Sequence, residues 1–109
     1  MGFIYLINSG QTNRFKIGVS IKPPQRKKGL QTGNPEELSL VSSYESDNYQ
    51  KIETILHRTL NHKKYIEEDF RSLGGEWFIL TSEDISNFKA NCKRIEDSIN
   101  FLEKNSTLM

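Results

Sequence analysis

The 109 residues include one cysteine, one tryptophan and three prolines. A lone cysteine, Cys92, excludes an internal disulfide and a cysteine-based zinc cluster, and it fits a reducing, cytoplasmic setting. No apolar run approaches the ~18 residues that a membrane-spanning helix needs, so no membrane partner is expected. The N-terminus lacks the basic-then-apolar layout of a secretory leader. The net charge is only +1, so nucleic-acid binding has to come from local basic clusters and not from the molecule as a whole. Also missing are a GxxxxGK(S/T) loop, a GxGxxG fingerprint, an HExxH helix and a GxSxG elbow, and with them the chemistries those motifs carry.

What is present reads as one small domain with a modest core, 35% hydrophobic and 27% charged, without repeats or an internal boundary. Phe3-Ile4-Tyr5-Leu6-Ile7 is apolar on both alternating faces, which predicts a central strand covered on both sides. Asn8 to Asn13 is turn chemistry. Phe15-Lys16-Ile17-Gly18-Val19 then alternates, with Phe15, Ile17 and Val19 on one face and Lys16 and Gly18 on the other. A glycine in a strand often marks close approach of a ligand or backbone, so the Lys16/Gly18 face is a candidate groove floor. The plainer reading is an edge strand with a solvated lysine.

Pro23-Pro24 predicts a loop feeding a short helix over Gln25–Leu30, ended by Gly33-Asn34-Pro35. Lys22, Arg26, Lys27 and Lys28 form the densest basic cluster, either a solvated helix face or a set of phosphate contacts. Leu38 to Tyr44 predicts a third strand, Ser46-Asp47-Asn48 supplies an N-cap, and Asp47 with Gln50 has capping-box spacing. In the helix that follows, Tyr49, Ile52, Leu56 and Leu60 define a buried stripe, with Lys51, Thr54 and Arg58 on the solvent side.

Steps of ~100° put Glu53 inside that stripe, with His57 one turn later at its edge. A carboxylate in such a place is costly unless paired. Three readings compete: an ion pair with a buried Arg or Lys, a marginal position that reaches water, or a ligand to a hard cation such as Mg²⁺ beside a substrate phosphate. His62 to Ser72 is polar and predicts a loop or frayed helix. Gly74-Gly75 predicts a turn into a short aromatic strand or core-closing segment at Trp77-Phe78. Thr81 with Asp84 has capping spacing. The last helix carries Ile85, Phe88, Cys92, Ile95, Ile99 and Leu102 in three- and four-residue steps, a stripe long enough that its outer half is available to a homodimer. Cys92 falls on this apolar face, a poor place for a nucleophile. Tyr5, Lys16, Arg26, Glu53 and His57 remain as a set suited to phosphate chemistry: a phenol, two cations, a carboxylate and an imidazole.

In order along the chain, Phe3-Ile4-Tyr5 after Gly2, Lys16-Ile17-Gly18, Arg26, Glu53, His57 and Glu76-Trp77-Phe78 resemble the GIY-YIG nucleases. The resemblance is to the phage and viral branch, with Lys16 where the second half-motif has tyrosine. It implies an α+β fold with a small three-stranded antiparallel sheet flanked by helices. The nuclease-like core it covers is 1–80; the apolar stripe beyond predicts a C-terminal helix over 81–105 packed on the same domain, and 106–109 is expected to be a frayed tail. The resemblance implies hydrolysis of DNA phosphodiesters with one Mg²⁺ or Mn²⁺ ion held by Glu53. Tyr5 would position or deprotonate the attacking water, Arg26 would neutralise charge on the scissile phosphate, and His57 would relay a proton or orient Tyr5. Lys16 would bring positive charge to the groove, or act as base with a lowered pKa. Lys22, Lys27 and Lys28 would join Arg26 in holding DNA, and the setting would be the host cytoplasm for a phage or viral protein. With no separate DNA-binding domain visible, sequence specificity would be low or supplied by a partner or by dimerisation. The alternative reading is a weak or inactive relative that binds nucleic acid or a protein.

Overall fold

A computed structural model describes residues 1–65 and 77–106. Strands β1 (Gly2–Ser9) and β2 (Arg14–Ser20) pair as an antiparallel hairpin. At its tip Gly10 and Gln11 both take positive φ, 59° and 56°. That pairing of signs defines a type I′ turn, whose twist matches that of the strands it joins. The Thr12 amide closes the turn on the Ser9 carbonyl at 3.1 Å. The Asn8 side-chain amide donates to the carbonyls of Thr12 and Arg14 at 2.8 and 3.1 Å, which ties the loop back to the strand.

Helix α1 (Pro23–Gln31) starts on its two prolines, where missing amides cost nothing. Strand β3 (Leu38–Ser46) returns along the other side of β1, with a register shift between Leu6 and Ile7. Helix α2 (Tyr49–Thr59) follows, then a single 3₁₀ turn (Asn61–Lys63) and the two-residue strand β4 (Lys64–Tyr65). After the undescribed stretch come β5 (Trp77–Ile79), a short helix α3 (Ser82–Ser86) and the long helix α4 (Phe88–Ser106).

The sheet is antiparallel, in the order β3-β1-β2-β5-β4. The expectation of three strands is therefore corrected: four strands have three residues or more, and the two-residue β4 extends the edge. Trp77–Ile79 is too short to declare itself by periodicity, and it becomes a strand because β2 offers it an edge. For the same reason Lys16 is not an edge-strand lysine in solvent: β2 lies inside the sheet and Lys16 is 6% exposed.

The alternation along β1 divides the core. Ile4 and Leu6 join Phe15, Ile17 and Phe78 on the face covered by Ile52 and Leu56 of α2 and by Phe88, Cys92 and Ile99 of α4. Tyr5 and Ile7 point to the opposite face, with Leu38 and Trp77, beneath Leu30 of α1. Each fully buried aliphatic or aromatic side chain contributes about 1.5–3 kcal/mol.

Two local expectations are corrected. Helix α2 has no side-chain cap from Asp47: its N-cap is Asn48, whose amide nitrogen Nδ2 reaches Asn100 on α4 at 3.1 Å instead. The C-terminal apolar stripe does not belong to one helix, because the chain breaks at Asn87 between α3 and α4. Thr81 and Asp84 do form a reciprocal capping box on α3. At the far end of α4, Leu102 is exposed, together with its neighbour Phe101. The Gly74-Gly75 turn, Glu76 and most of the His62–Ser72 segment lie outside the described residues, as do residues 107–109 of the expected tail; Ser106 ends α4.

Candidate functional site

Tyr5 and Gly18 face each other in the β1–β2 register. The phenol lies across Gly18 so closely that a Cβ there would collide with the Tyr5 hydroxyl. Glycine is needed here for space, and the space is filled by the Tyr5 ring. Tyr5 is 2% exposed. Burial raises the phenol's pKa above its ordinary 10.0; the hydrogen-bonded Arg26 guanidinium works against that rise, and the Glu53 charge adds to it. The hydroxyl therefore stays protonated at neutral pH.

Arg26 comes from α1, the helix on the Tyr5 face of the sheet. Glu53 and His57 come from α2, which covers the other face. The two sets meet around β2: a cleft of about 350 Å³ is lined by Tyr5, Lys16, Ile17, Gly18, Val19, Arg26, Glu53 and His57. The five residues picked out as a phosphate-chemistry set are thus neighbours in space, though they come from four elements.

Each is held differently. The Lys16 ammonium lies 5.9 Å from the centroid of the Trp77 ring, within cation–π range. His57 Nε2 sits 2.8 Å from the Ile17 carbonyl oxygen, and the imidazole meets Phe78 edge-on at 5.1 Å. A carbonyl only accepts, so Nε2 carries the proton in this contact. Glu53 is half-buried at the margin of the α2 stripe, and no described residue hydrogen-bonds or ion-pairs with its carboxylate. Among the described residues, then, no Arg or Lys neutralises it by direct contact.

Glu53 is the one carboxylate among the described residues lining the cleft. Mg²⁺ is commonly held by one or two carboxylates, with water and substrate phosphate oxygens completing the octahedron, and the donor set here fits that pattern. Among the described residues no group of three or more His, Cys, Asp or Glu gathers to cage a metal by protein alone.

Of the basic cluster, only Arg26 lines the cleft; Lys22 and Lys28 are exposed and Lys27 half-buried along α1. A second groove of about 460 Å³ shares Glu53 and His57 and continues along Thr54, Arg58 and Asn61. Thr54 and Arg58 sit where the helical wheel puts the solvent side, and a wheel does not distinguish open solvent from a groove.

Fold and cleft together define an α+β domain with a phosphate-suited polar site at its sheet. The T5orf172 domain model matches residues 2–99, and the chain belongs to that family. The assignment to the GIY-YIG family that the Gly2–Ser20 stretch resembles is thereby corrected, since the match is to a different domain. Half-motifs of three residues are short enough to mislead, and Lys16 stands where the second of them requires tyrosine. No curated protein and no solved structure matches the chain. The T5orf172 domain is associated with nuclease-like or DNA-binding modules of phages and mobile elements, which fits a nucleic-acid-related role. Among the described residues no helix is long and apolar enough to cross a membrane.

Proposed function

We propose that the chain is a small metal-dependent endonuclease that hydrolyses DNA phosphodiester bonds. The observation that carries this reading is the meeting of Tyr5, Arg26, Glu53, His57 and Lys16 in one cleft. Neutral-pH hydrolysis of a phosphodiester requires a held water, positive charge on the phosphate and help for the leaving oxygen, and this set can provide all three.

Arg26 sets its guanidinium against the scissile phosphate and neutralises the charge that builds there. Tyr5 lines the same cleft, where its phenol can position the attacking water. The raised Tyr5 pKa favours this positioning role over proton abstraction by a phenolate. His57, anchored through Nε2 on the Ile17 carbonyl, is the candidate proton relay at the cleft. Lys16 adds positive charge to the cleft floor. Glu53 holds one divalent cation, Mg²⁺ or Mn²⁺, which when bound supplies Lewis-acid stabilisation of the leaving oxygen. Lys22, Lys27 and Lys28 extend the positive surface of α1 towards the DNA backbone. A cytoplasmic setting, that of the host for a phage or viral protein, belongs to the same reading.

Nicking of supercoiled plasmid by the purified chain tests the proposal. Nicking with Mg²⁺ or Mn²⁺ that EDTA abolishes supports it. Salt-dependent DNA binding with no cleavage over a wide range of metal and pH would favour an inactive nucleic-acid-binding relative.

A homodimer through α4 is a second proposal. Its support is the exposure of Phe101 and Leu102, 65% and 66%, beside Arg94, Asp97 and Ser98 around a shallow groove. Arg94 and Asp97 carry opposite charges that a two-fold helix pair satisfies reciprocally. Sedimentation of the chain beside Phe101→Asp tests this: a dimer that the substitution dissociates supports it, and a monomer at all concentrations contradicts it.

A further inference from the structure

We infer that Arg58 and Asn61 form a second backbone-contact station, which grips the DNA strand beyond the scissile phosphate. The inference rests on the nuclease reading and adds to it the path of the strand.

The groove along Thr54, Arg58 and Asn61 opens from Glu53 and His57, residues it shares with the cleft. A strand whose phosphate is seated beside Arg26 and Glu53 therefore has a continuous channel to follow. Five residues at a rise of ~1.5 Å place Arg58 about 7.5 Å along α2 from Glu53, far enough to meet a neighbouring phosphate of the same strand and not the one at Glu53.

Several lysines of the chain are already engaged by carboxylates. Lys63 donates to Asp84 at 2.6 Å, Lys51 to Glu103 at 2.7 Å, and Lys93 faces Asp97 at 3.4 Å. The Arg58 guanidinium is exposed and pairs with no described residue. Its planar fork matches two phosphate oxygens. Asn61 is also exposed, and its side-chain amide is bonded to no described residue. It adds neutral donors for the same backbone. Thr54 is already committed, its hydroxyl donating to the Gln50 carbonyl at 3.0 Å, so it shapes the groove and is not a contact.

The test is the salt dependence of binding to a short mixed-sequence DNA duplex, measured for the full chain and its variants. One phosphate contact contributes about 0.9 to the slope of log K against log salt. Arg58→Gln is expected to lower the slope by that amount and to weaken binding equally across sequences. Arg58→Lys, which keeps the charge, is expected to restore it. Asn61→Ala is expected to weaken binding with the slope unchanged. Because Arg58 is exposed and pairs with no described residue, the thermal midpoint should stay near that of the parent, which separates lost contact from lost fold. An Arg58→Gln slope equal to the parent's overturns this inference and leaves the nuclease reading standing. Absence of salt-dependent DNA binding by the unmodified chain overturns both.

Discussion

The Tyr5 phenol occupies the space that a side chain at Gly18 would need, and the two residues are partners across the β1–β2 ladder. Tyr5, Gly18 and Arg26 line the same cleft, so a small residue on β2 shapes the surroundings of an α1 cation.

Gly18→Ala should therefore displace the ring or the strand. Overpacking of this kind costs about 1–3 kcal/mol. Denaturant unfolding is expected to show that loss, and nicking is expected to fall further than stability alone explains, because Tyr5 and Arg26 share the cleft. An alanine variant with unchanged stability and nicking would show that the ring yields without consequence.

A second relationship ties the sheet edge to the last helix. Glu96 on α4 accepts from the Tyr44 hydroxyl at 2.7 Å and from the Ser46 hydroxyl, and Ser46 Oγ accepts the Asn48 amide at 3.0 Å. The hydrogen bonds from Ser46 and then Tyr44 hold the Glu96 carboxyl below its ordinary 4.5. A carboxyl lowered by folding contributes stability above its unfolded pKa and loses it as pH falls through the folded value. Stability should thus drop below about pH 4.5 in the parent, and the drop should be shallower in Glu96→Gln. At neutral pH that variant is expected to lose about 1 kcal/mol, the group being partly solvated. Unfolding curves at neutral and acid pH measure both effects; parallel pH profiles would contradict the assignment.

Cys92 is 0% exposed, and burial followed by the nearby Glu96 charge pushes its thiol up to about 12. It should resist thiol reagents at pH 8 in the native chain and react at once in denaturant. Rapid native labelling would show that α4 opens from the core.

Much of this fold could be read from the chain itself. The period-two alternation of Phe15 to Val19 correctly separated the Lys16/Gly18 face from the apolar one, because a strand's faces follow directly from residue parity. The α2 stripe was legible for the same reason at helical period, with Ile52 and Leu56 buried. What depended on distant partners was not legible. The short aromatic strand at Trp77-Phe78 was among the expectations but its pairing with β2 was not, and Glu96 acquires its role from Tyr44 and Ser46, about fifty positions earlier. The break at Asn87 left no mark in the apolar spacing, which runs in helical steps from Ile85 through Phe88 and Cys92. Arg58 read as solvent-side because the groove it lines is made by the fold.

The central claim is that Glu53 serves phosphodiester cleavage and not the fold or DNA binding. Plasmid nicking and DNA affinity, measured side by side for the parent and Glu53→Gln with Mg²⁺ or Mn²⁺, test it most directly. The expected result is metal-dependent nicking in the parent, abolished by EDTA and lowered at least a hundredfold by the substitution (about 2.7 kcal/mol of barrier), with affinity within a few-fold of the parent. Equal loss of nicking and binding, or nicking that survives the substitution, would contradict it.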